Sequence, residues 1–189
     1  MGKKIFIDCG FYCGGALWAF QKTPEYSEGF EYYAFDPAMN LEASKVKFPH
    51  VNLYKKAVWI SDGEIEFYTS GRMGGRANGL YHNKRASREN VLKIASIDFS
   101  SWIKNNFSPD DYIIVKMDIE GAEFEVIPKM ISDGTINYVD IIYLELHGKR
   151  VQDTDGSKTT GLAASVAAVD GLTVRKSIER YLRSIKRSK

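Results

Sequence analysis

The chain has 189 residues, a length that favours a single domain because one domain accounts for about 150 residues. Its composition of 44% hydrophobic and 26% charged residues excludes a largely disordered chain. The two cysteines, Cys9 and Cys13, are too few for a disulfide scaffold, and no apolar run reaches the roughly 18 residues that span a bilayer. We therefore expect a cytoplasmic protein with no transmembrane segment and no secretory signal.

Strands and helices are predicted to alternate along the chain. The predicted strands are residues 4–9, 31–35, 51–60, 64–69, 91–97, 112–118 and 139–146. Helical composition predicts helices over residues 16–22 and 38–47, each followed by a proline. Continuous Val/Ile-rich strands separated by helices indicate an α/β fold with a mostly parallel central sheet and helices on both faces.

Two stretches do not follow this rhythm. Residues 70–90 contain four glycines and five Lys or Arg without periodicity, and they are predicted either to face a substrate or to be a tolerated insertion. Residues 152–161 are polar and rich in turn-forming residues, so we predict a mobile connector there.

The charge is distributed unevenly, although the net charge is only +2. Residues 171–189 hold seven Lys or Arg and one acid, which leaves 19 basic against 23 acidic residues in the rest of the chain. The apolar residues of this tail follow the spacing of an amphipathic helix, which we predict over residues 172–189. They are Val174, Ile178, Tyr181, Leu182 and Ile185. We expect the helix to close the domain with this apolar stripe; the alternative is contact with an anionic surface such as nucleic acid or phospholipid.

A glycine-rich turn follows the first predicted strand. Asp8 lies near the end of that strand, and Gly10, Gly14 and Gly15 precede the next helix, an arrangement typical of a nucleotide site at the carboxyl edge of a sheet. Asp36 ends the second strand, where it would accept hydrogen bonds from ribose hydroxyls. The glycine order differs from the G-x-G-x-x-G of dinucleotide enzymes. The alternative is a turn that binds nothing.

Charged residues end two neighbouring apolar strands of the predicted sheet. They are Lys116, Asp118, Glu120 and Glu123 after one strand, and Glu145 and His147 at the end of the next. Charges at the end of an apolar strand are costly to bury unless they are paired or hydrated, and ligands bind at the carboxyl ends of such strands. A single Glu or His is more often structural, but two neighbouring charged strand ends predict a site.

The segment K-M-D-I-E-G-A-E-F-E-V-I, from Lys116 to Ile127, resembles the family-defining segment of the FkbM family of methyltransferases. Three further motifs agree in order: D-x-G-x-x-x-G at Asp8–Gly14, F-D-P at residues 35–37 and L-E-L-H at residues 144–147. The resemblance covers roughly residues 4–148. The chain departs from the family at Tyr12, where asparagine is usual, and at Asp36, where glutamate is usual.

The resemblance implies a Rossmann-like class I methyltransferase domain over residues 1–189, with a seven-stranded mixed sheet and S-adenosylmethionine as cofactor. The implied reaction transfers a methyl group to a hydroxyl of a sugar or glycan, and the alternative acceptor is a polyketide-type small molecule. The cofactor contacts carried over to this chain are Asp8, Gly10, Phe11 and Gly14 near the methionine moiety, Asp36 at the ribose, and Ala57 and Val58 at the adenine.

An alcohol is a poor nucleophile, so a base or a metal ion should assist its deprotonation. Asp118 is the first candidate for the base and His147 the second, with Glu120 beside them. The expected acceptor-binding residues are Lys116, Glu123, Glu145, Arg76 and Asn78. The alternative for Lys116 is an ion pair with one of the acids. We expect no metal; the alternative is Mg²⁺ or Mn²⁺ on Asp118, Glu145 and His147, whose oxygen and imidazole ligands suit these ions.

Two other classes of function are disfavoured by the residues. A non-catalytic binding module, docking nucleic acid or membrane through the basic tail, has no physical need for acids at Asp8, Asp36 and Asp118. A nucleic-acid methyltransferase that methylates amino groups would carry an N-P-P-Y-type segment, which this sequence lacks.

Overall fold

A computed structural model of the protein describes residues 2–69, 79 and 91–187. Within these residues the chain forms nine strands and six α-helices. The strands are Lys4–Cys9 (β1), Phe30–Phe35 (β2), Val51–Tyr54 (β3), Ala57–Trp59 (β4), Gly63–Tyr68 (β5), Val91–Asp98 (β6), Tyr112–Met117 (β7), Ile141–Leu144 (β8) and Thr173–Lys176 (β9). The helices are Gly15–Phe20 (α1), Leu41–Lys47 (α2), Phe99–Asn106 (α3), Glu123–Ser132 (α4), Ser157–Ala167 (α5) and Ile178–Arg187 (α6), with turns of 3-10 helix at Thr135–Tyr138 and Gly148–Val151.

Six strands form an all-parallel central sheet in the order β3-β2-β1-β7-β8-β9. The chain builds outward from β1 to β3 on one side and from β7 to β9 on the other, so the order reverses between β1 and β7. Ligands of open α/β sheets bind beyond the carboxyl ends of the strands at such a reversal. The predicted α/β fold with a parallel central sheet is confirmed.

Helices cover both faces of this sheet, because successive side chains of a strand point to opposite sides. Ile5 and Ile7 of β1 belong to a buried cluster that includes side chains of α3, α4 and α5. Phe6, which lies between them in sequence, faces the other side and stacks on Phe20 of α1 with the ring centroids 4.1 Å apart. The two apolar layers hold the strand ends in fixed positions relative to one another.

A second sheet has three strands in the order β4-β6-β5. The single strand predicted over residues 51–60 is wrong, because β3 ends at Tyr54 and the chain turns, with the N–H of Lys56 donating to the Tyr54 carbonyl, before β4 enters the other sheet. The seven-stranded mixed sheet is also wrong for the residues described. The antiparallel strand β5 pairs with β6 in the second sheet and leaves the central sheet with six parallel strands.

The C-terminal tail is a strand followed by a helix, not one helix over residues 172–189. Val174 of β9 pairs with Ile142 of β8, and α6 begins at Ile178. The edge of β8 offers partners for the backbone N–H and C=O groups of β9. These hydrogen bonds favour a strand at Val174 over the helix that the apolar spacing predicted. The remaining apolar stripe docks: Ile178 is buried, and Tyr181 and Leu182 pack on the same cluster.

The two irregular stretches have different outcomes. Residues 152–161 are not a connector throughout, because α5 begins at Ser157 and Asp153 accepts hydrogen bonds from the N–H groups of Lys158 and Thr159 in its first turn. Residues 70–90, apart from Gly79, lie outside the described residues. Among the helices of the described ranges, none combines the length and the apolar character needed to cross a bilayer.

Candidate functional site

A cleft of about 590 Å³ opens at the carboxyl ends of the central strands. It is lined by ten residues predicted from the sequence: Gly10, Phe11, Asp36, Ala57, Val58, Lys116, Asp118, Glu120, Glu145 and His147. Asp8, Gly14 and Glu123 do not line it, and Arg76 and Asn78 lie outside the described residues. The fold therefore joins five of the seven expected cofactor residues, the three expected catalytic residues and two of the five expected acceptor residues in one cavity.

The turn after β1 requires glycine at two positions for different reasons. Gly10 has φ 87°, and a Cβ there would collide with the carbonyl oxygen of Asp118 at the end of β7. Gly14 has φ 78°, and a Cβ there would collide with the ring of Phe48. Gly10 thus allows two strand ends to approach each other beneath the cleft, whereas Gly14 accommodates the packing of an aromatic ring.

Asp36 is fixed at the other wall of the glycine turn. Its two carboxylate oxygens each accept a hydrogen bond of 2.7 Å, from the N–H of Tyr12 and from the N–H of Ala38. Burial raises the pKa of Asp36, and these two hydrogen bonds oppose the rise. Each oxygen keeps a lone pair for a ligand, so the side chain can accept hydrogen bonds from hydroxyl groups in the cleft.

Lys116 lies between two carboxylates beneath the turn. Its Nζ is 3.1 Å from Oδ1 of Asp8 and 3.4 Å from Oδ2 of Asp118. Asp8 is fully buried, and neither of its oxygens receives a well-aligned hydrogen bond, so the ion pair with Lys116 is its main compensation. Burial raises the pKa of Asp8, and Lys116 opposes the rise. Burial alone would lower the pKa of Lys116, but the two carboxylates reverse the sign and raise it.

The same ammonium group also holds the backbone of the turn. Nζ of Lys116 donates to the carbonyl oxygens of Gly10, at 2.7 Å, and Cys9, at 3.3 Å. The N–H donors of Lys116, whose side chain is only 7% exposed, are therefore satisfied by these two carbonyl groups and the two carboxylates. The geometry makes Lys116 a support for the turn and for Asp118, which agrees with the alternative of an ion pair, and its side chain also lines the cleft.

His147 lies over the end of β8 and is anchored from behind by Glu123. Its Nδ1 is 3.0 Å from Oε1 of Glu123, which is fully buried and also accepts the N–H groups of Ile119 and Gly121, both at 2.8 Å. Burial alone would lower the pKa of His147. The hydrogen bond with Glu123 and the charges of Glu123, Glu120 and Asp118 outweigh burial and raise this pKa to about 9.

The Nε2 atom of His147 points toward the cleft. It lies 3.5 Å from Oδ1 of Asp118 and 4.0 Å from Oε2 of Glu120. Glu120 is held in turn by the guanidinium of Arg150, whose Nη2 and Nε are 2.6 and 2.9 Å from Oε2. Glu120 has φ 57°, a left-handed conformation that is unusual for a non-glycine residue and that directs its side chain to this cluster. Arg150 was missed from the sequence because a lone arginine three residues beyond a motif carries no signal.

The C-terminal helix supplies a wall of the cleft that the sequence did not assign to it. Ser177, Glu179, Arg180 and Arg183 all line the cavity. Nη2 of Arg180 donates to Oε1 of Glu145 over 3.2 Å. The spacing of Arg180 and Arg183 could have indicated this role, because residues three apart lie on one face of a helix, here the face opposite the apolar stripe.

Comparison with protein-family models gives one match, over residues 72–166, to a family described as Domain of unknown function (DUF7870). The matched span covers half of the chain. The chain belongs to the DUF7870 family. Neither the comparison with curated proteins nor the comparison with solved structures gives a match.

In this DUF7870 protein the matched span contributes one part of the cleft. It contains Lys116, Asp118 and His147, whereas the glycine turn and Asp36 precede it. The unmatched N-terminal part therefore provides the glycine turn and the strand-end acid of the cleft, and the family region provides the charged cluster.

The cluster also contains a set of candidate metal ligands. One ligand atom each from Asp118, Glu120 and His147 lies within 4.8 Å of the others. This set differs from the predicted one, because Glu145 is paired with Arg180 and Glu120 takes its place. Two carboxylates and an imidazole suit Mg²⁺ or Mn²⁺, although Lys116 and Arg150 already neutralise the two carboxylates in this arrangement.

Proposed function

We propose that this protein is an S-adenosylmethionine-dependent O-methyltransferase that methylates a hydroxyl of a sugar or glycan. The supporting observation is one cleft, at the reversal of a parallel sheet, that combines a glycine turn and a strand-end acid with a carboxylate–imidazole cluster. A nucleoside fits the first pair of features, and activation of a hydroxyl fits the second.

The cofactor half of the cleft offers matching chemistry for each part of the nucleoside. Asp36 has free lone pairs for the ribose hydroxyls, and Ala57 and Val58 form an apolar surface suited to adenine. The turn at Gly10 and Phe11 leaves room for the methionine moiety beside Asp118. The cavity volume is within the range of about 300–1,000 Å³ that is usual for small-molecule sites.

The acceptor half of the cleft is polar, which favours a polyol over an apolar polyketide. Each acid of the cluster has a cationic partner: Asp118 has Lys116, Glu120 has Arg150, Glu123 has His147 and Glu145 has Arg180. Such pairs present fixed donors and acceptors at little net charge, which suits the hydroxyl groups of a neutral carbohydrate.

Methyl transfer needs alignment and proton removal in this cleft. S-adenosylmethionine, when bound, supplies a methyl group already activated by its sulfonium. The chain must hold the acceptor oxygen in line with that methyl group and take its proton. Asp118 is placed to take the proton, and the cationic His147 is placed to hold the acceptor oxygen, since they face the cleft from neighbouring strand ends and are supported from behind by Lys116 and Glu123.

Calorimetric titration with S-adenosylhomocysteine tests the cofactor half directly. Wild-type protein is expected to bind, and Asp36→Asn is expected to bind about ten- to a hundredfold more weakly because it weakens charge-assisted hydrogen bonds. Asp110→Asn, which alters an exposed acid outside the cleft, is the matched control. Absence of binding by wild-type protein contradicts the proposal.

A second experiment tests methyl transfer. Labelled S-adenosylmethionine is supplied with a panel of free sugars, sugar nucleotides and glycans, and the methylated hydroxyl is mapped. Asp118→Asn is expected to keep its affinity for S-adenosylhomocysteine and to lose at least about a hundredfold in turnover. Turnover equal to wild type in Asp118→Asn would remove Asp118 from the reaction, and added EDTA tests the metal alternative in the same assay.

A further inference from the structure

Some charged side chains on the wall of the cleft have no partner within the protein. The acids of the charged cluster and Glu145 have cationic partners, and Asp36 accepts two backbone N–H groups. Within the part of the chain that the structure describes, the charged cleft-lining side chains with neither an ion pair nor a hydrogen bond are Lys56, Glu179 and Arg183. A charged ligand can engage such groups without first breaking a contact inside the protein.

Glu179 and Arg183 act together, and we call them the α6 pair. They lie four residues apart in α6, which places both side chains on one face of the helix. That face lines the cleft, and among the described residues the two side chains pair neither with each other nor with a third group. Lys56 follows β3, at the opposite edge of the central sheet from β9 and α6. The α6 wall therefore presents one negative and one positive group side by side.

The first turn of α6 lies against the glycine turn, on the side expected for the methyl donor. Ile178 is buried in the same apolar cluster as Phe11 and Ala16, and α6 packs against α1, which begins directly after the glycine turn. Arg180 ties the helix to the end of β8 through its hydrogen bond with Glu145. The α6 pair therefore borders the part of the cleft next to the glycine turn.

An α-amino acid group carries an ammonium and a carboxylate on one carbon atom, so its binding site needs an anion and a cation close together. We infer that the α6 pair binds the amino-acid end of the methyl donor, with Arg183 pairing with its carboxylate and Glu179 pairing with its ammonium. Charge-assisted hydrogen bonds of this kind are the strong ones, and an arginine fork suits a carboxylate. The inference rests on the proposed function and deepens it, because it assigns the donor's charged end to the C-terminal helix.

The residues expected from the sequence leave that end of the donor without charged partners. Of those assigned to the methionine moiety, Asp8 and Gly14 do not line the cleft. The carbonyl of Gly10 is already held by Lys116. Phe11 is apolar and 2% exposed, so it offers packing but no charge. The α6 pair supplies the two opposite charges that these residues do not.

Three ligands that share the nucleoside separate the two contacts. S-adenosylhomocysteine carries both charges of the amino-acid group, its decarboxylated form keeps only the ammonium, and methylthioadenosine has neither. Calorimetric titration at low ionic strength suits the test, because salt screens exposed charges such as those of the α6 pair. Wild-type protein is expected to bind S-adenosylhomocysteine at least about tenfold more tightly than methylthioadenosine, and more tightly than the decarboxylated form.

Each member of the α6 pair has its own expected pattern. Arg183→Gln is expected to weaken S-adenosylhomocysteine about tenfold and to leave the other two ligands within about twofold, because only the first carries a carboxylate. Glu179→Gln is expected to weaken both ligands that carry the ammonium and to leave methylthioadenosine within about twofold. Unchanged methylthioadenosine binding also shows that the variant is folded.

Two substitutions outside the cleft are matched controls. Lys186→Gln removes a positive charge from the last turn of α6, and Glu42→Gln removes an acid from the first turn of another helix, α2. Both are expected to bind all three ligands as wild type does.

The outcomes separate the inference from the proposed function. The inference is overturned if Arg183→Gln binds S-adenosylhomocysteine as wild type does, or if it weakens all three ligands equally, which would make α6 only a wall. It is also overturned if wild-type protein binds S-adenosylhomocysteine no more tightly than methylthioadenosine. These results leave the proposed nucleoside site in place. Failure of wild-type protein to bind any of the three ligands overturns the proposed function, and the inference falls with it.

Discussion

The proton on His147 should make the stability of the protein depend on pH in a defined window. The pKa of His147 is raised to about 9 in the folded chain, whereas an unperturbed histidine titrates near about 6.5. A group whose pKa is raised by folding stabilises the folded state while it is protonated in both states. This contribution is therefore fully present below about pH 6.5 and is lost as the pH rises toward 9.

The magnitude follows from the difference between the two values. A difference of about 2.5 pH units, at about 1.4 kcal/mol for each, corresponds to about 3 kcal/mol of unfolding free energy. The side chain of His147 is 20% exposed, so solvent screens only part of this interaction. Because a domain is stabilised by only about 5–15 kcal/mol in total, the loss should be easy to measure.

Urea denaturation at intervals from pH 6 to 9.5, in the presence of EDTA, measures this dependence. His147→Asn has no titrating group at this position, so the difference between the wild-type and variant curves removes the contributions of cysteines, tyrosines and lysines. That difference is expected to fall by about 3 kcal/mol across the window. A difference that stays constant from pH 6 to 9.5 would show that the carboxylates around His147 do not hold a proton on it.

Two substitutions test the turn beneath the cleft. Gly10→Ala must both keep φ at 87° and push its Cβ against the carbonyl of Asp118, whereas Gly29→Ala keeps a similar φ of 89° in open space. We expect the free energy of unfolding to fall by about 1 kcal/mol in the Gly29 variant and by at least about 2 kcal/mol more in the Gly10 variant. The Gly10 variant should also lose S-adenosylhomocysteine binding. Equal losses of stability in the two variants would contradict the close approach of the two strand ends. Lys116→Met leaves Asp8 buried without its counter-charge, which should cost about 3–5 kcal/mol in urea denaturation. Adding Asp8→Asn should recover much of that loss, and no recovery would count against the ion pair.

Many residues of the cleft were predictable because the sequence shows where the apolar strands end. An apolar strand such as β7 must be buried on both faces, so the charges that follow it mark the edge of the sheet. Parallel strands bring their carboxyl ends to one edge, so the sequence alone predicts that Asp36, Asp118 and His147 lie together.

The contacts of those residues were only partly predictable. Alternation gives the face of Lys116 but not its depth, so the sequence left an acceptor contact and an ion pair with an acid both open, and the structure shows its ammonium beneath Gly10. Glu123 was misjudged for a similar reason. Its position at the start of α4 turns it toward backbone N–H groups and away from the cavity.

The tail shows how two patterns can share the same residues. Val174 fits the spacing of a helix with Ile178, and it also fits an edge strand beside Ile142. Sequence periodicity does not show whether a segment pairs with the edge of a strand or forms a helix, because that strand belongs to a distant part of the chain. For the same reason the sequence did not reveal the break between β3 and β4. These two strands pair with different partners, β3 with β2 and β4 with β6.

Lys116 has a consequence for how the two proposed ligands would occupy the cleft. One ammonium group holds both the Gly10 carbonyl, on the side proposed for the methyl donor, and the Asp118 carboxylate, on the side proposed for the acceptor. A ligand that displaces either the Gly10 carbonyl or the Asp118 carboxylate changes how strongly the Lys116 ammonium interacts with the other. Donor and acceptor affinities are therefore expected to be thermodynamically linked, and by reciprocity each ligand should alter the dissociation constant of the other by the same factor.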